Sequence, residues 1–192
     1  MARQIAEATG GDLFEIVPAA AYPAEYGAVV DQAKKEIGGG VRPALKGRLP
    51  DVGAYDVIFV GSPCWWSTVA PPVATFLADC DWAGKTVVPF MTHEGSGMGH
   101  SEADIRRLCP RSTVPDGLAV RGSAVRNSKN EVGRWVRARL KKVESEIEEL
   151  GAHIVELENE INDPEVLRDH LLLRDKCDEL DDTRFHQQEL YD

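Results

Sequence analysis

The sequence is poor in the features that mark several large functional classes. No apolar stretch reaches the length of a membrane span, and the opening residues MARQIAEATGG lack the apolar core of an export signal. The four cysteines, Cys64, Cys80, Cys109 and Cys177, form no C-x-x-C pair, which removes the usual zinc and dithiol patterns. With no export signal, the expectation is reduced thiols in the cytoplasm. No G-x-x-x-x-G-K-[ST] loop occurs, so nucleotide hydrolysis does not follow. Basic charge is scarce as well. Neither half carries the basic stripe of a nucleic-acid binder, and the net charge is −10.

That charge is uneven. Residues 1–140 hold 16 basic and 15 acidic side chains, whereas residues 141–192 hold 6 and 17, so +1 and −11 sum to −10. A nearly neutral front followed by a strongly acidic tail predicts two modules, 1–140 and 141–192.

The front module is organised around YDVIFVGSPCWWSTVAPPV, residues 55–73. Val57, Ile58, Phe59 and Val60 make the unbroken apolar run of a strand buried on both faces. Gly61, Ser62 and Pro63 end it, Trp65 and Trp66 follow in a loop, and Pro71–Pro72 opens a helix, where a missing N–H is harmless. Further strands are predicted at Leu13–Val17, Lys85–Phe90 and Leu118–Arg121. Helices are predicted over 2–9, 25–37, 72–78 and 101–108. Such alternation predicts a parallel α/β sheet, and the carboxyl edge of a parallel sheet is where ligands bind.

Ser128 and Glu131 fit a capping box at the start of a helix carrying Trp135. Val143, Ile147, Leu150, Ile154, Leu157 and Ile161 then recur at intervals of 4, 3, 4, 3 and 4, a coiled-coil seam. Asn162-Asp163-Pro164 interrupts it. A second helix from Pro164 towards Gln188, with Val166, Leu173, Cys177 and Leu180 on its seam, predicts an antiparallel hairpin. The carboxylates Glu146, Glu148, Glu149, Glu156, Glu158 and Glu160 read as its solvated face.

AEATGGDLFEI, the 55–73 stretch, GKTVVPFMTHEGSGMGHSEADIRRLCP and GLAVRG resemble, in order and spacing, the flavodoxin-like family of small FMN-dependent oxidoreductases. The resemblance covers residues 2–140. It implies a five-stranded parallel sheet with FMN held between the loops after its third and fourth strands. On it, Ser62, Pro63, Trp65 and Trp66 wall the isoalloxazine, while Thr92, His93, Glu94, Gly95, Ser96, Gly97 and Gly99 approach its polar edge, the glycines allowing close backbone approach. NAD(P)H as electron donor and a quinone-like acceptor are further implications of the family. Members begin with a strand and a Ser/Thr/Gly-rich phosphate loop; this sequence starts inside the helix that follows. The expectation is therefore weak FMN retention. For the sheet, either Leu13–Val17 shifts to pair with Val57–Val60, or another chain fills the slot, or the fold is weakened. KKVESEIEELGAHIVELENEINDPEVLRDH, within residues 141–190, resembles the C-terminal coiled-coil hairpin of ABC-F type ATPases, although a charge of −11 argues against tracking phosphates.

Each feature has a plainer reading. Trp65 and Trp66 are core aromatics or a ligand wall, and their place in a loop favours the wall. His93 and Glu94 are solvated loop residues or a proton source for the flavin, with His100 alike, and solvation is favoured. Cys64 has no basic neighbour in sequence and reads as inert. The competing function is a non-enzymatic interaction module that dimerises or binds a protein partner through the helical hairpin.

Overall fold

The computed structural model describes residues 1–191, apart from the side chains of Val143, Glu146 and residues 188–191, so the first seam position and one carboxylate of the solvated face lie outside the described side chains. Two compact units result, Met1–Val136 and Arg137–Asp192.

In the first unit, α1 (Ala2–Thr9) ends on Gly10 in the left-handed conformation, and Glu25 caps α2 (Tyr26–Gly38) by accepting from the amides of Gly27 and Ala28. Then come β1 (Val57–Trp65), β2 (Thr68–Val69), α3 (Pro71–Asp79), β3 (Thr86–His93), α4 (Ser101–Leu108) and β4 (Leu118–Arg121). The sheet order is β2-β1-β3-β4. β1, β3 and β4 are parallel, with Val57 opposite Thr86 and Phe90 opposite Leu118, whereas β2 only folds back on the end of β1.

Alternation along the strands sorts two apolar faces. Val60, Val87 and Met91 join Val73, Phe76 and Leu77 of α3 and Ile105 of α4 in one core, sealed by Trp82. On the opposite face Phe59 meets Trp135 edge-on at 5.8 Å. Gln4 and Glu7 of α1 bond Val125 and Lys129, which ties α1 to the start of α5 (Lys129–Ile161). Phe90 lies directly over Gly61, where a Cβ would sit 2.1 Å from Cζ of the ring.

Several expectations are corrected. Leu13–Val17 is not a strand and pairs with nothing in the sheet; the nearest ladder-like contact is a single bridge from Pro18 to Leu45. Leu13 and Phe14 are exposed, and Phe14 stacks on Phe76 at 6.0 Å instead. The sheet therefore has four strands, not five, and among the described residues the outer edge of Val57–Pro63 carries no ladder. Ser128 Oγ donates to the Val125 carbonyl, 2.8 Å, in place of a capping-box bond.

In the second unit, α5 and α6 (His170–Tyr191) run antiparallel: Lys176 meets Glu160 at 2.8 Å, His153 meets Glu179 at 3.5 Å, and Gln187 donates to the Ile147 carbonyl at 3.3 Å. Leu157 and Leu180 are buried, and Ile147, Leu150, Ile154 and Ile161 are partly so. The second helix starts later than the sequence suggests. Asp163 turns the chain by accepting from the Glu165 amide, and Val166–Arg168 is a short 3₁₀ turn. Asp169 then caps α6 through the amides of Leu171 and Leu172.

Candidate functional site

β1 does not release its two tryptophans into a loose loop. The strand continues through Trp65, reverses at Trp66 (φ 49°) and Ser67 (φ 64°), and returns with Thr68 opposite Trp65. Two consecutive positive φ angles make a two-residue hairpin turn of the kind usually given to Asn-Gly, because side chains crowd the backbone there. Strain of this sort costs on the order of 1–3 kcal/mol per residue and persists only where the surroundings hold it.

Three contacts hold it here. The Ser67 carbonyl accepts from the His100 amide at 2.6 Å. The Thr68 hydroxyl bonds the Asp104 carboxylate. The Trp66 indole N–H donates to the Val30 carbonyl at 3.2 Å, with the Lys34 ammonium 4.9 Å from the ring centroid, a cation–π contact that fastens the indole to α2.

The segment between β3 and α4 meets this turn. Gly99 (φ 56°) is pressed against Ser67, and a Cβ there would lie 2.2 Å from the Ser67 carbonyl oxygen. Its smallness thus serves this contact with the turn. Ser96 Oγ donates to Cys64 Sγ at 3.1 Å. The rest of the segment is tied back: His93 Nδ1 accepts from the Gly95 amide at 3.0 Å, and Glu94 Oε1 accepts from the Ser123 amide at 3.1 Å. Beside Gly95 and Gly97 there is open space, since a Cβ at either would meet no atom within 4 Å.

The residues singled out from the sequence therefore divide. Ser62 is buried, and its hydroxyl accepts from the Ala70 amide and donates to the Pro63 carbonyl, so it serves the strand end. Trp65 is half-buried and meets Tyr22 edge-on at 5.2 Å. The Tyr22 phenol bonds Glu36 at 2.5 Å, and burial, then that bond and charge, hold its pKa above the ordinary value. Thr92 is half-buried in the ladder opposite Pro63. Pro63, Glu94, Gly95 and Ser96 are exposed, and Trp66 is 50% exposed. Sequence reasoning missed Ser67, Thr68 and Asp104, which join the two segments; no local motif announces a Trp-Ser turn.

These features fit one half of FMN better than the other. An exposed indole, an exposed proline and open backbone at Gly95–Gly97 lie together at the carboxyl ends of β1 and β3, suited to a flat ring. Among the described residues, no comparable set of side chains is offered to a phosphate at the start of α1. Met1, which caps α1, makes no side-chain bond to it, and Thr9 Oγ1 is engaged by the Ile5 carbonyl and the Gly11 amide, both at 3.1 Å. A cleft of about 370 Å³ lined by Asp51, Val52, Cys80 and Lys85 lies at the opposite, amino-terminal ends of the strands. Among the described residues, no helix is long and apolar enough to cross a membrane.

A parallel sheet flanked by helices, with a turn and a glycine-rich loop joined at its carboxyl edge, defines an α/β protein of the doubly wound kind. Comparison with known proteins gives the family: the flavodoxin profile matches residues 1–139, and the chain belongs to the flavodoxin family. A candidate flavoprotein from Bacteroides uniformis is 30% identical, covering 70% of this chain and 86% of that one, with a TM-score of 0.62. Another from Bacteroides eggerthii is 28% identical over 71% and 86%, with a TM-score of 0.60. A flavoprotein from Lactobacillus acidophilus, solved in complex with FMN, shares the fold at 24% identity over 65% and 85%, with a TM-score of 0.51. No curated protein matches the chain.

Proposed function

We propose that residues 1–140 form an FMN-binding redox module whose ring side is complete and whose phosphate side is weak in these 192 residues. The observation carrying this reading is the Ser67–His100 contact, which joins the strained Trp66 turn to the open backbone of Gly95–Gly97. Family membership and the FMN complex of the Lactobacillus acidophilus flavoprotein support it.

FMN, when bound, supplies the electron or hydride chemistry, with NAD(P)H as the proposed donor. The chain supplies surface and hydrogen bonds. Trp66 offers its exposed indole, and Trp65 backs the site from the core side. Thr92 and the amides of the 95–99 loop serve the polar edge of the ring; the Gly95 and Gly99 amides are already bonded to His93 Nδ1 and the Ser96 carbonyl, which leaves those of Ser96, Gly97 and Met98. His93 and Glu94 hold the loop in place through their bonds to the Gly95 and Ser123 amides.

A phosphate cradle contributes several charge-assisted hydrogen bonds, each worth about 1.5–3 kcal/mol, so lacking two or three weakens FMN binding about a thousandfold or more. Riboflavin and FMN, which differ by that phosphate, should therefore bind this chain with affinities within about threefold of each other. Flavin fluorescence titration measures both. FMN binding a thousandfold tighter than riboflavin refutes the phosphate half of the proposal, and failure of both flavins to bind refutes the ring half. Anaerobic bleaching of the bound flavin by NADPH tests the donor.

A second reading, a protein-interaction module acting through the helical hairpin, is favoured by one observation: the described surface of that hairpin exposes leucines that its own pairing leaves uncovered.

A further inference from the structure

The end of the hairpin where the chain turns is apolar. Leu167 is 54% exposed, Leu171 64% and Leu172 42%. They come from the 3₁₀ turn and the first turn of α6, so three leucines within six residues share one tip. Asp169 fixes this arrangement, because the amides it caps are those of Leu171 and Leu172. A cluster of large exposed apolar side chains marks an interaction surface more often than chance exposure does.

Charge decides what covers it. Residues 141–192 carry −11; Arg168 is the one cation in the tip itself, among Asp163, Glu165 and Asp169 in sequence, and the Arg and Lys side chains of α6 are paired within the hairpin. Arg174 pairs with Asp175 at 3.2 Å, Lys176 with Glu160 at 2.8 Å and with Glu179 at 3.3 Å, and Arg184 with Glu158 at 2.5 Å. Among the described residues, Glu165, Asp178, Asp181 and Asp182 have no such cation. The field leaving the hairpin is therefore acidic. A phosphate backbone or an anionic bilayer is repelled by it, and so is a second acidic hairpin. A basic protein surface is attracted.

We propose that the Leu167–Leu171–Leu172 tip docks into an apolar recess on a basic protein partner, the leucines anchoring the contact and the flanking carboxylates steering it. The proposal stands independently of flavin binding.

The test uses the full chain and a fluorescein-labelled amphipathic Leu/Lys helical peptide as a minimal basic, apolar partner surface. Fluorescence anisotropy should show binding that weakens from about 50 mM to about 500 mM salt. The triple variant Leu167→Ser/Leu171→Ser/Leu172→Ser should bind about tenfold more weakly, as expected for lost anchor residues. A Leu/Glu peptide should not bind. Circular dichroism should leave the variant's helix content unchanged, since all three side chains are exposed. Equal binding of the Leu/Lys peptide to chain and variant, or no binding at all, overturns the proposal. So does a dimer seen by light scattering that the triple variant dissolves, or capture of the chain by vesicles of anionic lipid.

Discussion

Gly99 and Gly97 form a matched pair that isolates the contact on which the site depends. Both sit in the left-handed region, at φ 56° and 60°. An alanine at position 97 would point into open space, whereas at 99 its Cβ would lie 2.2 Å from the oxygen, 2.7 Å from the carbonyl carbon and 2.8 Å from the Cα of Ser67. These are backbone atoms and cannot swing aside. Gly97→Ala should thus cost only the left-handed penalty, about 1–2 kcal/mol. Gly99→Ala carries that penalty and also breaks the bond from the His100 amide to the Ser67 carbonyl, a further 0.5–1.5 kcal/mol or so. Forcing Ser67 outward adds to this by disturbing the strained turn. Urea unfolding followed by tryptophan fluorescence should place Gly99→Ala at least about 1 kcal/mol below Gly97→Ala. Equal stabilities, or the reverse order, would refute the argument that turn and loop are locked through this glycine.

Two other perturbations test the packing and the titration. Gly61→Ala drives a methyl into the Phe90 ring, 2.1 Å from Cζ, and should destabilise by about 1–3 kcal/mol; pairing it with Phe90→Leu should recover part of that loss, and strictly additive effects in chemical denaturation would contradict the clash. Burial, then the neighbouring Cys80, pushes the Cys109 thiol up to about 12. Its neutral form is the one the fold favours, so its contribution is fully present below the unfolded value near 8.5 and is lost as pH rises towards 12. Unfolding midpoints measured from pH 8 to about pH 11 should fall less steeply for Cys109→Ala than for the parent chain; parallel slopes would show that this thiol does not matter.

Much of the fold is legible in the sequence because it rests on local signals. The Val57–Val60 run, the Pro71–Pro72 helix start and the Gly10 helix stop each follow from backbone chemistry and appear at those positions. Leu13–Val17 misled for the same reason. Its composition is that of a strand, but a strand needs a neighbour, and pairing is a property of the sheet rather than of five residues. The start of α6 shows how local chemistry can also be misread: Pro164 fits a first helical position, yet Asp169 provides the cap that the helix uses. At the site, adjacency of the tryptophan and glycine segments follows from their places at the carboxyl ends of neighbouring parallel strands. The Trp66–Ser67 reversal does not follow, since neither residue favours positive φ. Nor could sequence separate Trp65, fixed against Tyr22, from Trp66, left half exposed; that difference arises from alternation at a strand end whose last residue was unknown.

The central claim, that a flat ring sits where the Trp66 turn meets the glycine loop, is tested most directly by amide and indole chemical shifts recorded while riboflavin is added to the labelled chain. The account predicts the largest changes at Ser96, Gly97 and the Trp66 indole, with residues around Lys85 unmoved. Changes centred on Asp51, Cys80 and Lys85, the cleft at the other end of the strands, would contradict it.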